Sequence, residues 1–281
     1  MAWQPDLQQI AAVLGCTRSR APLVHAITNQ ITMNDCANVV LSVGAGVVMA
    51  SSVREVEEVA GLADALVLNT GNPGTDTLQA MRLAGRAANR KGIPVVLDPV
   101  GAGSSRSRTA LIRQLLQELS ISVLRGNASE LRVLAGENIS SRGVDVSVQD
   151  TAWTDMRLRM DEARALAQRT KAIVVMTGKA DFITDGDKAC LLYNGHEMLS
   201  RITGSGCMLS ALTGAYCAAQ PQRLFEAAVA AAGVMGLAGE QAYYKTHCQQ
   251  GGTASFRLHL LDAISLMRED TLQRGLKLEV R

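Results

Sequence analysis

Short, continuous runs of aliphatic residues are the clearest pattern along this chain of 281 residues. Such runs favour strands that are buried on both faces, as in a parallel sheet, whereas a strand with one exposed face alternates apolar and polar residues. The runs predict strands at PLVHAIT (22–28), VVMA (47–50), ALVLN (65–69), PVVLD (94–98), ISVLR (121–125) and AIVVMT (172–177).

Helical patterns separate these runs. Residues 75–92 place apolar and small side chains on one face, and the pattern stops at Gly92 before Pro94, which is a typical helix end. Similar patterns predict helices at 109–119 and 161–170. A chain that alternates strands and helices in this way favours a layered α/β fold with right-handed crossovers.

The last third of the chain has a different pattern. After two shorter apolar runs within 181–193, it predicts helices at 205–219, 222–247 and 255–270. The segment LFEAAVAAAGVMGLAGEQA has small residues almost all round, which indicates a buried helix. Because no linker or repeat interrupts the chain, we interpret residues 1–281 as a single domain, an α/β/α layered fold with a mostly parallel central sheet.

Composition narrows the function. The net charge of +2, from 28 basic and 26 acidic residues, gives no charged surface suited to nucleic acid or to anionic membranes. The six cysteines form no C-x-x-C pair, and no histidine pair has metal-ligand spacing, so we expect reduced, mostly buried thiols. No signal peptide and no run of ~18 apolar residues is present. These features predict a soluble cytoplasmic protein that binds neither nucleic acid nor a membrane.

Polar residues follow the predicted strands of the central sheet, and ligands of parallel sheets bind beyond the carboxyl ends of the strands. A single residue of this kind needs no functional explanation, because Asn, Asp, Gly and Ser are common in turns. Four strand ends that combine carboxylates, a guanidinium, amides and hydroxyls indicate a polar site. Arginine binds phosphate through its planar fork, and two carboxylates can hold Mg²⁺, so this edge suits a phosphate-bearing substrate. The candidates are Asn69, Thr70, Gly71, Asp98, Arg125, Gly126, Asn127, Glu130, Thr177 and Gly178.

The segment RITGSGCMLSAL (201–212) adds a glycine-rich turn that opens a predicted helix. The N–H groups from Gly204 to Cys207 would point outwards at the positive end of the helix dipole and form an anion-binding site. Such a site could hold the charge that accumulates during phosphoryl transfer. At that position the pKa of the Cys207 thiol is expected to fall below ~8.5. The alternative is a cysteine that only packs at a glycine-rich helix start. The chain lacks a G-x-x-x-x-G-K-[ST] motif, which excludes a P-loop enzyme.

Taken together, the motifs resemble the hydroxyethylthiazole kinase family of the ribokinase-like superfamily. The resemblance is carried, in the family's order and over nearly the whole chain, by PLVHAITNQITMNDCANVVLSVGAGVVMA, VVLDPVGAGSSRSRT, LRGNASELRVLAG, SRGVD, IVVMTGKADFITDG and ITGSGC. The RGN-A-SE and TN…MA elements are quite specific to the family, whereas related kinases share DPVGAG and GSGC more loosely.

The resemblance implies a ribokinase-like fold and the phosphorylation of 4-methyl-5-(2-hydroxyethyl)thiazole by ATP and Mg²⁺ in thiamine biosynthesis or salvage. It implies that Cys207 stands where related sugar and pyrimidine kinases have an aspartate base, and that the chain forms a homotrimer with thiazole sites at subunit boundaries. With neighbouring strand-end residues added, the expected sets are Arg125, Thr177, Asn127 and Gly178 for ATP; Asp98 and Glu130 for Mg²⁺; Asn29, Met49, Gly71 and Gly204 for the thiazole; and Cys207, Gly204, Ser205 and Gly206 for catalysis.

Three positions depart from the family pattern. Asn72–Pro73 stands where the family often has Thr–Leu, and Lys179 stands where an acidic residue is common. The segment GGTASF (251–256), which contains Thr253, lacks the proline that is usual in the family's GPGSF element. The first departure could reshape the thiazole pocket, and the second changes the charge beside the nucleotide. None removes a residue that is expected to do chemistry.

Three other functions stay open at this point. A hydroxymethylpyrimidine phosphate kinase would share the fold, but such enzymes usually carry aspartate where this chain has Cys207. A non-catalytic sensor of thiazole or nucleotide would not need Asp98, Glu130 and Cys207 together. A protein that only oligomerises would not need polar residues at the strand ends.

Overall fold

The structure, a computed structural model, describes residues 4–71, 74–136 and 153–281. In this part of the chain the strands are β1 (Leu23–Ile27), β2 (Gly46–Val48), β3 (Ala65–Asn69), β4 (Val95–Asp98), β5 (Val123–Asn127), β6 (Ile173–Thr177), β7 (Asp181–Thr184), β8 (Ala189–Leu192) and β9 (Leu278–Val280). The helices are α1 (Leu7–Arg20), α2 (Met33–Ser42), α3 (Val56–Leu62), α4 (Thr75–Lys91), α5 (Arg106–Glu118), α6 (Ala128–Ala135), α7 (Trp153–Thr170), α8 (Ser205–Ala219), α9 (Leu224–Cys248), α10 (Thr253–Ser265) and α11 (Glu269–Gly275).

These strands form one sheet in the order β2-β1-β3-β4-β5-β6-β7-β8-β9. The pairs from β2 to β6 are parallel, and the pairs from β6 to β9 are antiparallel. The prediction of a mostly parallel central sheet is confirmed. Each of the six aliphatic runs overlaps a strand, although β2 begins one residue before its run and β5 ends two residues after its run, and the two shorter runs within 181–193 form β7 and β8.

Both faces of the sheet are buried under helices, which explains why the strand sequences are apolar without alternation. On β4, Val96 packs in the core beneath α1, α2, α8, α9 and α10. Its neighbours Val95 and Leu97 point to the opposite face and pack in a second core, beneath helices α3 to α7. The layers are therefore helix, sheet and helix, as the sequence predicts.

Helices α8 and α9 run through the first of these cores, and the expectation of a buried helix of small residues is confirmed for α9. The prediction of one helix over 255–270 is wrong, because α10 ends at Ser265 and Arg268 has extended backbone before α11 begins. Buried Met267 lies in this break and packs into the core. Within the described residues, no helix is both long and apolar enough to cross a bilayer.

Gly214 tests how closely α8 packs on the sheet. A Cβ at this position would collide with the side chain of Val67 on β3, so we expect Gly214→Ala to lower the free energy of unfolding by about 1–3 kcal/mol. Gly61→Ala is the matched control, because this glycine is exposed on α3 and a Cβ there meets no atom within 4 Å. Helix propensity should make the control more stable by about 0.5–1 kcal/mol. Urea unfolding measures both changes, and equal effects would contradict the close contact of α8 with β3.

Candidate active site

The carboxyl ends of parallel strands β1 and β3 to β6 meet at one edge of the sheet, and α8 packs on β1, β3 and β4. The first turn of α8 therefore faces the residues that follow these strands. The predicted strand-end residues and the glycine-rich turn, which are far apart in sequence, come together at this edge.

Asp98, at the end of β4, is fully buried. Its Oδ2 accepts hydrogen bonds from Asn69 Nδ2 (2.8 Å) and Ser210 Oγ (2.7 Å), and Arg125 Nη1 lies 3.8 Å away. Its Oδ1 has no hydrogen-bond partner among the described residues. Burial raises the pKa of Asp98, whereas the charge of Arg125 and the two hydrogen bonds oppose the shift.

Glu130 makes one local contact, whose Asn-x-x-Glu spacing is a known helix-start signature, and one contact with a distant loop. With Asn127 it forms a capping box at the start of α6, since Asn127 Oδ1 accepts from the Glu130 N–H (2.9 Å) and Glu130 Oε2 from the Asn127 N–H (3.0 Å). Its Oε1 accepts from the N–H of Gly101, in the loop after β4 (2.9 Å). Glu130 thus ties two strand-end loops together. Burial, and then the charge of Asp98, raise the pKa of Glu130 to about 7.

Arg125 connects the fifth and sixth strands to the start of α8. Its Nη2 donates to Thr177 Oγ1 (2.8 Å), and its guanidinium lies against Gly206, where a Cβ would come within 2.6 Å of Nη1. On the outer side, the N–H of Gly178 donates to Asp181 Oδ1 (3.0 Å), which shapes the turn after β6. The four residues expected to bind ATP lie at the ends of two neighbouring strands. Arg125 and Asn127 belong to β5, Thr177 is the last residue of β6, and Gly178 directly follows it.

The glycine-rich turn opens α8 as predicted. Gly204 caps the helix at φ +88°, a left-handed conformation in which an L side chain is strained, and a Cβ would also press on Thr32. The first backbone bond of the helix runs from Met208 N to Gly204 O (2.8 Å). The N–H groups of Ser205, Gly206 and Cys207 lie before this bond, so the helix leaves them available to an anion.

The expectation of a lowered pKa for the Cys207 thiol is wrong. Its side chain is buried at the helix start, and burial followed by the charge of Asp98 raises the pKa; the hydrogen bond with Thr32, the charge of Arg125 and the hydrogen bond from Asn69 oppose the shift. The nearby guanidinium and the two hydrogen bonds do not outweigh the loss of water around the sulfur. Cys207 is therefore a neutral thiol at pH 7.

Two of the three other residues expected at the thiazole lie beside Cys207. Asn29 Nδ2 contacts Cys207 Sγ (3.4 Å), and its Oδ1 accepts from the Thr32 N–H (3.1 Å). Gly71 packs against Asn29. A Cβ added at Gly71 would lie 3.0 Å from Asn29 Nδ2. Met49 directly follows β2, is half-buried and packs against the core. No hydrogen bond of the described residues joins it to this group.

Sequence reasoning missed two residues that touch the candidate site, Ser210 and Thr32, and gave no individual role to a third. That third residue, Asn69, is a strand-end candidate that bonds both Asp98 and Cys207. Ser210 follows Cys207 by three residues in α8, so helical spacing places both on the same side of the helix, and this signal could have found it. Thr32 bonds Cys207 from another segment of the chain, which no local pattern predicts.

The departures from the family pattern lie at different places. Asn72–Pro73, and the SRGVD segment at 141–145, lie outside the described residues. Lys179 is exposed in the turn between β6 and β7, beside Thr177 and Gly178, which are expected to bind ATP. Thr253 is the first residue of α10, which Gly252 caps, so the helix begins here without a proline.

Comparison with known proteins gives one consistent answer. The sequence profile of the hydroxyethylthiazole kinase family matches residues 14–270. The hydroxyethylthiazole kinase of Ruminiclostridium cellulolyticum is 43% identical over 263 residues, which cover 94% of both chains. That of Exiguobacterium sibiricum is 44% identical over 253 residues, which cover 90% of this chain and 94% of the relative.

Solved structures agree with the sequence comparison. A hydroxyethylthiazole kinase protein from Pyrococcus horikoshii superimposes with a TM-score of 0.86 at 35% identity, covering 98% of this chain and 99% of the other. A ribokinase-like superfamily protein from Enterococcus faecalis, only 11% identical, shares the fold with a TM-score of 0.61 over 96% of this chain and 93% of the other. The predicted ribokinase-like fold is thereby confirmed, and the chain belongs to the hydroxyethylthiazole kinase family, a family of phosphoryl-transferring enzymes.

Proposed function

We propose that the protein transfers the γ-phosphoryl group of ATP to the hydroxyl of 4-methyl-5-(2-hydroxyethyl)thiazole, in thiamine biosynthesis or salvage. Family membership supports the substrate. The observation that carries the chemistry is the group formed by the unbonded N–H groups at the start of α8, the Arg125 guanidinium and the buried Asp98 carboxylate. The N–H groups and the Arg125 guanidinium place positive charge around a position beside the Asp98 carboxylate. Phosphoryl transfer needs such positive charge around the transferring group.

ATP binds, in this proposal, across the ends of β5 and β6. Arg125 holds the phosphates, because its fork matches phosphate oxygens and its guanidinium already faces the start of α8. Thr177, Asn127 and Gly178 line the same two strand ends. The exposed side chain of Lys179 adds a second positive charge beside them.

The carboxylates fit Mg²⁺ that is held jointly with the phosphates. Asp98 Oδ1 is buried and has no partner among the described residues, which is costly unless a cation or a donor reaches it. Glu130 lies close enough for the charge of Asp98 to raise its pKa. The described residues contain no cluster of three metal-binding side chains, and Mg²⁺ usually takes only one or two carboxylates along with waters and phosphates. When bound there, Mg²⁺ would neutralise charge on the phosphate oxygens.

Charge stabilisation and positioning dominate the proposed transfer step. The N–H groups of Ser205, Gly206 and Cys207 face the charge that develops on the transferring group, and Gly204 provides the backbone geometry that exposes them. The transition state of phosphoryl transfer is loose, so the alcohol needs little deprotonation beforehand. Cys207, whose pKa is raised, accepts a hydrogen bond from the alcohol and orients it, while the alcohol's proton passes to an oxygen of the transferred phosphoryl group as the new O–P bond forms.

The thiazole, in this proposal, occupies the side of the site formed by Asn29, Gly71, Gly204 and Met49.

The proposal includes a homotrimer with sites at subunit boundaries. The resemblance to the family is what supports this part of the proposal. The proposal also places the enzyme in the cytoplasm and treats residues 1–281 as one kinase domain, which the single sheet supports.

One assay separates the proposed function from its alternatives. ADP release from Mg-ATP is measured with hydroxyethylthiazole, with hydroxymethylpyrimidine and with neither. We expect release that depends on the thiazole, because the site pairs the polar Asn29 with a sulfur where pyrimidine kinases carry aspartate. Release with the pyrimidine alone would identify a sibling kinase, and release that needs neither compound would overturn the assignment. No release under any of the three conditions, with thiazole binding detected by calorimetry, would identify a sensor.

Substitution of Cys207 tests its secondary role. We expect Cys207→Ala to lower kcat by no more than about 10²-fold, since it removes only a contact that orients the alcohol and the amides of α8 remain in place. Cys207→Asp is expected to stay active, because a carboxylate can accept the same hydrogen bond from the alcohol. Steady-state kinetics at saturating Mg-ATP measure both. A Cys207→Ala chain that folds and binds ATP but has no activity would refute the secondary role.

A further inference from the structure

Asn69 is the centre of the hydrogen bonds around Cys207, and none of the roles proposed above uses its side chain. It is the last residue of β3, is 2% exposed, and pairs in register with Asp98 on β4. Residues paired in a parallel sheet point to the same face, so the two side chains lie side by side. The register of two central strands thus fixes the position of Asn69.

The partners of Asn69 determine which way its amide faces. Its Oδ1 accepts from the N–H of Gly71 (3.0 Å) and from Asn29 Nδ2 (3.2 Å). Its Nδ2 donates to Asp98 Oδ2 (2.8 Å) and to Cys207 Sγ (3.2 Å). The backbone N–H of Gly71 can only donate, and a reversed amide would place its oxygen against the carboxylate, so only this orientation satisfies every partner.

The two N–H bonds of one amide group therefore reach two different acceptors, a carboxylate oxygen and a sulfur. Asp98 is fixed by the sheet, whereas Cys207 belongs to the first turn of α8. The planar amide group of Asn69 therefore joins β4 to the first turn of α8. Without it, Cys207 would keep Asn29 and Thr32 as partners but would lose its connection to Asp98.

We infer that Asn69 is a positioning residue for phosphoryl transfer, whose amide holds the Cys207 sulfur in a fixed place relative to Asp98 at the start of α8. The inference rests on the proposed function, because Cys207 matters only if it faces the acceptor alcohol. Ser210 offers a matched control: it donates to the same oxygen of Asp98 (2.7 Å) but has no hydrogen bond with Cys207 within the described chain.

A double-mutant comparison tests the inference. Asn69→Ala and Ser210→Ala are each made in the wild-type chain and in Cys207→Ala, and kcat and KM are measured for ATP and for the thiazole. Asn69→Ala is expected to lower kcat about tenfold in the wild-type chain, with both KM values within about twofold, but less than about threefold in Cys207→Ala. Ser210→Ala should have the same effect in both chains. An Asn69→Ala effect of equal size in both chains would overturn the inference, because a residue that only supports Asp98 does not need the sulfur.

A second measurement does not depend on activity. The S–H stretching band of Cys207 is identified in the infrared spectrum as the band that Cys207→Ala removes. It should shift in Asn69→Ala, and in Asn69→Ser if the alanine variant does not fold, whereas it should stay in place in Ser210→Ala. An unshifted band in the folded Asn69 variant would overturn the inference. A wild-type chain without thiazole-dependent turnover would instead contradict the proposed function, so the two failures are distinguishable.

Discussion

The site is organised around a carboxylate that has been taken entirely out of water. Asp98 is fully buried at the end of a central strand, and an uncompensated charge there would be expensive. Three side chains supply the compensation: Arg125 from the next strand on one side, Asn69 from the next strand on the other, and Ser210 from α8. Each comes from a different element, so the carboxylate can be stabilised only when sheet and helix are assembled.

The same arrangement places positive charge at the start of α8. Arg125 lies close to both Asp98 and Gly206, and the N–H groups of the first turn of α8 precede the first backbone hydrogen bond of that helix. Gly204 and Gly206 are required for different reasons, the first for its left-handed backbone and the second for the space that the guanidinium occupies. A negative group beside Arg125 thus meets a cation and the positive end of a helix at once, and in the proposed function this pair stabilises the transferring group without a strong base.

The sequence predicts the strands and the edge where the site lies, because burial on both faces leaves an unbroken aliphatic run and chemistry collects at the carboxyl ends. It could not predict the break at Arg268, where local helix propensity continues but the chain turns so that Met267 enters the core. It also could not predict the raised pKa of Cys207, which depends on burial by distant segments and not on the helix start. The bridging role of Asn69 depends on the register of two strands, and the bond between Glu130 and the Gly101 N–H depends on where the loop after β4 lies.

The central claim is that the amides of α8, together with Arg125, hold the charge of the transferring group, and that the thiol of Cys207 does not. Calorimetric binding of ADP with aluminium fluoride, an anionic mimic of that group, in the presence of Mg²⁺ and hydroxyethylthiazole, tests it most directly. The account predicts that Cys207→Ala binds the mimic within about threefold of the wild-type chain, whereas Gly206→Ala, whose Cβ displaces the guanidinium, binds it at least about tenfold more weakly. A greater loss of affinity in Cys207→Ala than in Gly206→Ala would contradict the account.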